Sequence, residues 1–271
     1  MQYTRFVIIS HLRSGTHLLR TLLESHPGIV CQTEVFNSDN PNLPYPLSTP
    51  VDTVLNDWVF RDFPPETECA GFVLQAYHPG GLKAFPGIRE NALWSEIWTR
   101  LQHMPDLKVI HLRRRNGLRR HLSHLMARRT GTWHHWDPEQ VNEVTHLEKP
   151  VLQKPDAATR PRLRLDAERL RLDFEEVDQL HRRVTTLFGG GMYFPLVYEE
   201  LAADPERWGA ELLRFLGLAP QALKSAVSKL EKRPLRDSIE NFDELKRAFS
   251  GTPWQGYFED QYIRPVGSIR S

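Results

Sequence analysis

Residues 5–28 read RFVIISHLRSGTHLLRTLLESHPG, and the change of period inside that stretch decides the fold. Arg5 to Ile9 is a continuous apolar run rich in β-branched residues, the pattern of a strand buried on both faces of a parallel sheet. From Leu18 the spacing turns helical, with Leu18, Leu19, Leu22 and Leu23 on one face and a stop at His26-Pro27-Gly28. Strand, tight turn and helix are the opening unit of an α/β fold.

The same arrangement recurs at Leu107–Leu112 (LKVIHL), which runs into Asn116 and then Leu118, Leu122, Leu125 and Met126 on one stripe. Gly71–Tyr77 (GFVLQAY) and Phe194–Tyr198 supply two more strands. After the latter, Asp204-Pro205 reads as a cap and first helical position, Trp208, Leu212, Phe215 and Leu216 form a face, and Gly217 ends it. The expectation is a parallel central sheet flanked by helices, in a single domain spanning 1–271. Asn37–Pro50 and Gly131–Arg164 lack periodicity and read as long loops or lids, and Gly189-Gly190-Gly191 as a turn.

Composition narrows the function classes. The 271 residues are 40% hydrophobic and 25% charged, which excludes disorder and small disulfide scaffolds. Thirty-five Lys and Arg against thirty-four Asp and Glu leave a net charge of +1, so no global field calls for nucleic acid or an anionic membrane. Two cysteines, Cys31 and Cys69, fit a reducing compartment, and the N-terminal apolar run is too short for a signal core or a membrane span. The expected location is cytoplasmic.

The chemistry concentrates at strand-to-helix turns. In Arg13-Ser14-Gly15-Thr16 small residues let backbone N–H groups approach an anion at a helix start, Ser14 and Thr16 add hydroxyl donors, and Arg13 adds a permanent cation. An ordinary capped turn is the plainer reading of the same residues. The loop is not a nucleoside-triphosphate P-loop, which would need Gly at Ser10, Lys at Thr16 and Ser or Thr at His17. Without that hydroxyl for Mg²⁺, a group needing less neutralisation than phosphoryl is the better cargo, and a sulfuryl group carries one fewer negative charge. At the second turn, Arg115 and Ser123 lie eight residues apart, suited to gripping one phosphate. The other arginines of that run, Arg113, Arg114, Arg119, Arg120, Arg128 and Arg129, read as a solvated basic face. His121, His124, His134 and His135 have no partners at metal spacing, so no metal is expected.

Three segments together resemble sulfotransferases that use 3′-phosphoadenosine-5′-phosphosulfate (PAPS), most of all the bacterial and tyrosylprotein-like branch. They are RFVIISHLRSGTHLLRTLLESHPGIVCQTEVFN (5–37), VIHLRRRNGLRRHLS (109–123) and PLVYEELAADPERWGAELLRFLGL (195–218). The resemblance implies a P-loop-like sulfotransferase fold, PAPS as donor and adenosine 3′,5′-bisphosphate (PAP) as product. It places the 5′-phosphosulfate on Arg13, Ser14, Gly15, Thr16, His17 and Leu18, the 3′-phosphate on Arg115 and Ser123, and the adenine near Tyr198. It makes Glu34 the general base, a role that asks for partial burial, with Arg13 stabilising the leaving phosphate. The stretch SKLEKRPLRDSIENFDEL (228–245) resembles a family tail whose basic residues approach the donor, and Lys229, Lys232 and Arg233 are its candidates. Where many relatives carry Lys in a Gly-Phe-Lys strand, this chain has Gly71-Phe72-Val73, and Lys83 is a possible substitute. The acceptor is expected to be a small molecule bearing a hydroxyl or amine, entering between the two long loops past Trp133, His134, His135 and Trp136. Two alternatives remain at this level, a metal-dependent small-molecule kinase and a non-catalytic nucleotide-binding module. Should Glu34 not be the base, His78 or His134 stands in reserve.

Overall fold

The computed structural model describes residues 3–40, 42–75, 77, 94–131, 133, 161–225 and 233–259. Five strands, β1 (Thr4–Ser10), β2 (Ile29–Gln32), β3 (Cys69–Gln75), β4 (Lys108–Arg113) and β5 (Tyr193–Val197), form one parallel sheet in the order β2-β3-β1-β4-β5. The helices alternate with them. α1 (Thr16–Glu24) follows β1, α2 (Val51–Thr53) runs into a π-helical turn at Val54–Val59, and α3 (Ile97–Gln102) precedes β4. α4 (Gly117–Thr130) and α5 (Ala167–Phe188) lie between β4 and β5, α6 (Tyr198–Ala203) and α7 (Pro205–Leu216) follow β5, and α8 (Leu235–Ser238) and α9 (Phe242–Ala248) come last. Among these residues no helix is long and apolar enough to cross a membrane.

The central strand explains the unbroken apolar run. Phe6 and Ile8 face the layer of α1 and α7, where Leu19, Leu22, Leu23, Leu212, Leu213 and Leu216 are buried. Val7 and Ile9 face the opposite layer, packed with Leu55 of the π-helical turn, Ile97 and Trp98 of α3, and Val184 and Phe188 of α5. A third cluster joins α4 and the first half of α5 to α8 and α9 through Leu118, Leu122, Phe174, Leu235 and Phe249. The caps match their sequence signals. The Asn116 carboxamide accepts from Arg119 N at 2.9 Å, the Asp204 carboxylate accepts from Arg207 N at 3.0 Å, and Gly217 closes α7 at φ +91. Residues 37–40 and 42–50 carry no strand or helix, and the three glycines form the turn after α5. Of the segment 131–164, residues 132 and 134–160 lie outside the described residues.

Two features depart from the sequence expectation. The helix α5 was not anticipated, because its buried face mixes Leu170, Phe174, Val177 and Val184 with Asp173 and His181. The arginine run is not a solvated face throughout. Only Arg128 and Arg129 are exposed, whereas Arg120 is 1% exposed and ion-paired with the fully buried Asp173. Burial alone would raise the Asp173 carboxyl, but Arg120 and a 3.0 Å contact with His121 Nδ1 outweigh it and hold it well below the usual carboxylate range. The same guanidinium donates to His11 Nδ1 at 3.0 Å, immediately beyond β1. Beside this group runs a second polar chain, in which His111 of β4 bonds Tyr193 Oη at 2.7 Å and His181 of α5 at 2.9 Å.

Burial pushes His11, His111 and His124 down to about 3, aided by nearby arginines and, at His124, by His121. Each is neutral in the folded chain and titrates near 6.5 when unfolded. Their contribution to stability is complete above pH 6.5 and is lost as pH falls toward 3. Thermal melts in steps from pH 8 to pH 4 are expected to show a flat Tm above pH 7 and a steep fall below 6, with uptake of more than one proton on unfolding.

Candidate active site

The turn between β1 and α1 is shaped by two residues in the left-handed region, Arg13 at φ +63 and Gly15 at φ +96. Gly15 is required twice over. A side chain is strained at that φ, and a Cβ there would lie 2.2 Å from Cδ2 of Tyr198, whose ring covers the glycine. The start of α1 has no side-chain cap, so its first N–H groups face outward as donors. The Ser14 hydroxyl is buried with no hydrogen-bond partner among the described residues, and the Nε of Arg114, whose Nη1 bonds the same turn, is in the same state. Donors left buried and unsatisfied in one region are what an oxyanion would complete. His17 and Leu18 occupy the first turn of α1, half-buried.

Arginines fasten this turn to the β4 side of the sheet. Arg13 Nε donates to Ser123 Oγ of α4 at 3.2 Å, and its Nη1 to the Trp133 carbonyl at 2.6 Å, with the guanidinium 5.9 Å from the Trp133 ring centre. Arg114 Nη1 donates to the Arg13 carbonyl at 3.0 Å while its guanidinium stacks on Tyr198 at 4.9 Å. Burial, then the neighbouring Arg114, pulls Arg13 down to about 10, so it stays charged at neutral pH. Arg115 is engaged elsewhere. Its side chain pairs with Glu200, and its backbone N–H donates to the Glu199 carboxylate at 2.9 Å. Ser123 therefore contacts Arg13, while the side chain of Arg115, the other residue expected at the 3′-phosphate, is held by Glu200.

Glu34 follows β2 and is half-buried. Its Oε1 accepts from Gln75 Nε2 at 2.9 Å and its Oε2 from Asn37 Nδ2 at 3.0 Å. Tyr77 lies within electrostatic reach of both Glu34 and Arg13, and burial, then Glu34, pushes its hydroxyl well above the usual range. Gln75 also donates to Thr16 Oγ1 at 3.3 Å, so the acidic residue after β2 and the first residue of α1 share one partner.

The model of the family described as "Sulfotransferase family" matches residues 5–221. The chain belongs to the sulfotransferase family. Among curated proteins this sulfotransferase is 29% identical over 266 residues to Nodulation protein H of Rhizobium tropici, covering 97% of this chain and 96% of that one. It is 27% identical over 257 residues to Nodulation protein H of Rhizobium meliloti strain 1021, covering 94% of each. Among solved structures, a sulfotransferase from Alicyclobacillus acidocaldarius aligns over 98% of each chain at 17% identity with a TM-score of 0.48. The sulfotransferase domain of the Synechococcus PCC 7002 olefin synthase aligns over 99% of this chain and 91% of its own, at 16% identity and a TM-score of 0.43.

Several residues of this sulfotransferase's site escaped the sequence reading. Val73 is buried in the apolar layer under α1. Gln75, two residues along the same face of β3, is the polar group that ends the strand. A lone polar residue closing an apolar run was the signal for it. By sequence Arg114 reads as one of a basic surface run and Asn37 as the first residue of a loop. Lys83, His78, His134, His135, Trp136, Lys229 and Lys232 lie outside the described residues, and the Arg233 carbonyl accepts from Arg119 Nη1 at 3.2 Å. His121 and His124 sit on buried positions of α4, His121 against Asp173 and His124 with its ring 5.9 Å from that of Trp133.

Replacing Gly15 by Ala is expected to lower stability by about 1–2 kcal/mol through the backbone alone, with a further loss from overlap with Tyr198. Urea denaturation should show a smaller cost for Gly15→Ala in a Tyr198→Ala background. Equal costs in both backgrounds would mean that the ring does not press on the turn.

Proposed function

We propose that this sulfotransferase moves a sulfuryl group from PAPS to the hydroxyl or amine of a small acceptor, with Glu34 as general base and no metal ion. The observation that carries the reading is the meeting of an anion cradle with a held carboxylate. Buried, unsatisfied Ser14, the uncapped start of α1 and Arg13 form the cradle, and Glu34 is tied to its edge through Gln75 and Thr16. PAPS supplies the sulfuryl group and departs as PAP. Glu34 takes the proton of the acceptor hydroxyl as its oxygen bonds to sulfur and the bond from sulfur to the 5′-phosphate oxygen breaks. Both Glu34 oxygens accept from amide N–H groups, an arrangement that fits the deprotonated carboxylate a base must present. Arg13, fixed by Ser123 and Trp133, offers charge to the leaving phosphate oxygen, and Arg114 holds the backbone of the same turn. The cradle in this reading is Arg13 to Leu18, with Tyr198 closing over Gly15. Arg115 and Ser123 take the 3′-phosphate, for which Arg115 exchanges or shares its Glu200 partner.

The acceptor in this reading approaches beside the loop that starts at Asn37, since Asn37 already touches the base. Buried, unpaired Cys31 and Cys69 suit a cytoplasmic setting.

Calorimetric titration in EDTA is expected to show binding of PAP and not of ATP, weakened roughly tenfold to a hundredfold by Arg115→Ala. Glu34→Gln should keep PAP affinity and lose about 10²- to 10⁴-fold in turnover with radiolabelled PAPS and a hydroxyl acceptor. Folded protein that ignores PAP would overturn the donor assignment, and normal turnover by Glu34→Gln would overturn the base.

A further inference from the structure

Gln75 is 2% exposed at the last position of β3, paired in register with Ser10 at the end of β1. Its carboxamide is fully committed. Ser10 Oγ donates to Oε1 at 3.0 Å, and Nε2 donates to Glu34 Oε1 at 2.9 Å and to Thr16 Oγ1 at 3.3 Å. The amide orientation follows from chemistry, because the opposite flip would set a carbonyl oxygen against the Glu34 carboxylate. The Thr16 hydroxyl accepts from Gln75 and so keeps its own O–H as a donor. The Ser10 hydroxyl has its proton directed at Gln75. One buried side chain thus sets a hydroxyl at the head of α1 and aims a carboxylate that comes from a different strand.

We infer that Gln75 is a positioning residue that couples the donor cradle to the base, holding the Glu34 carboxylate in line with an anion seated at Thr16. The inference rests on the proposed role of Glu34. Gln75 touches neither donor nor acceptor and acts through Glu34 and Thr16. A buried amide with all three of its contacts satisfied has one orientation open to it, so the carboxylate it holds has little freedom to turn away.

Three variants test it, assayed with radiolabelled PAPS and the most active hydroxyl acceptor from a panel of alcohols, phenols and monosaccharides. Gln75→Leu removes the amide, Gln75→Glu keeps the acceptor for Ser10 while replacing the donor to Glu34 by an oxygen, and Glu34→Gln removes the base. The expected result is a fall in kcat of about 10- to 100-fold for both Gln75 variants, with the dissociation constant for PAP changed less than about threefold. In a Glu34→Gln background Gln75→Leu should cost much less than in wild type, since only its route through Thr16 remains. In Gln75→Glu the acidic limb of the pH–kcat profile should move to higher pH, because a second carboxylate faces Glu34. A limb that stays put in Gln75→Glu would mean that position 75 does not face the base. A readout without turnover comes from selective ¹⁵N-glutamine labelling. The Gln75 side-chain amide, assigned by its absence in Gln75→Glu, should shift as Glu34 titrates and shift again when PAP is added, and the pH dependence should vanish in Glu34→Gln. The inference is overturned if that amide ignores pH in wild type, if the Gln75 variants keep kcat and the limb while Glu34→Gln collapses turnover, or if PAP affinity falls as far as kcat. Normal turnover in Glu34→Gln sinks the base assignment itself, whatever Gln75 does.

Discussion

A guanidinium and a carboxylate that are both sealed from water, Arg120 of α4 and Asp173 of α5, hold each other in place, and the site is assembled around that joint. Removing one member of such a pair strands the other charge, at a cost of about 3–5 kcal/mol. The pair does more than dock two helices. Arg120 also reaches His11, so the first residue beyond β1 is fixed to α4, and α4 in turn carries Ser123, which receives Arg13. The direction in which the β1–α1 turn leaves the sheet is therefore set from beneath by a charge pair and from the side by arginine hydrogen bonds. His11 and His124, kept neutral by burial, are part of the same arrangement, since a further buried cation would oppose Arg120.

The sheet supplies the second constraint. The connection after β1 leads toward β2 and the connection after β4 leads toward β5, so the chain departs in opposite directions from two adjacent strands. A parallel sheet opens a crevice at the carboxyl ends of such a pair. Arg13 and Arg114 lie on its two sides and touch across it. β3, next to β1, extends the same edge and brings Gln75 level with Ser10, and Glu34 arrives from the end of the outermost strand. Each contribution comes from a strand end, so the positions of groups far apart in sequence are set by backbone hydrogen bonding in the sheet.

What the sequence disclosed and what it hid divide along physical lines. β1, the turn and α1 are legible because period and turn chemistry are local properties, and the same holds for Asn116 capping α4 and for α7 between Asp204 and Gly217. The reading of Arg13, Ser14 and Gly15 as an anion-type turn rests on residue types, which an ordinary capped turn would satisfy equally well. Hidden were the pairings. Nothing local links Arg13 to Ser123, 110 residues away, or Glu34 to Gln75, or tells Arg120 from the exposed Arg128 on the same helix. The helix α5 escaped for a related reason: Asp173 and His181 on its inner face look like solvent positions until Arg120, His121 and His111 are placed opposite them. An edge strand of four residues, β2, carries too short a pattern to be seen.

The backbone of Arg13 has a consequence for how this protein can change. A residue with a Cβ in the left-handed region costs about 1–2 kcal/mol relative to glycine, which is at ease there. Exchange to glycine would thus relax the backbone and remove a side chain that ties the turn to α4. Selection for a sturdier fold and selection for charge in the crevice pull this position in opposite directions.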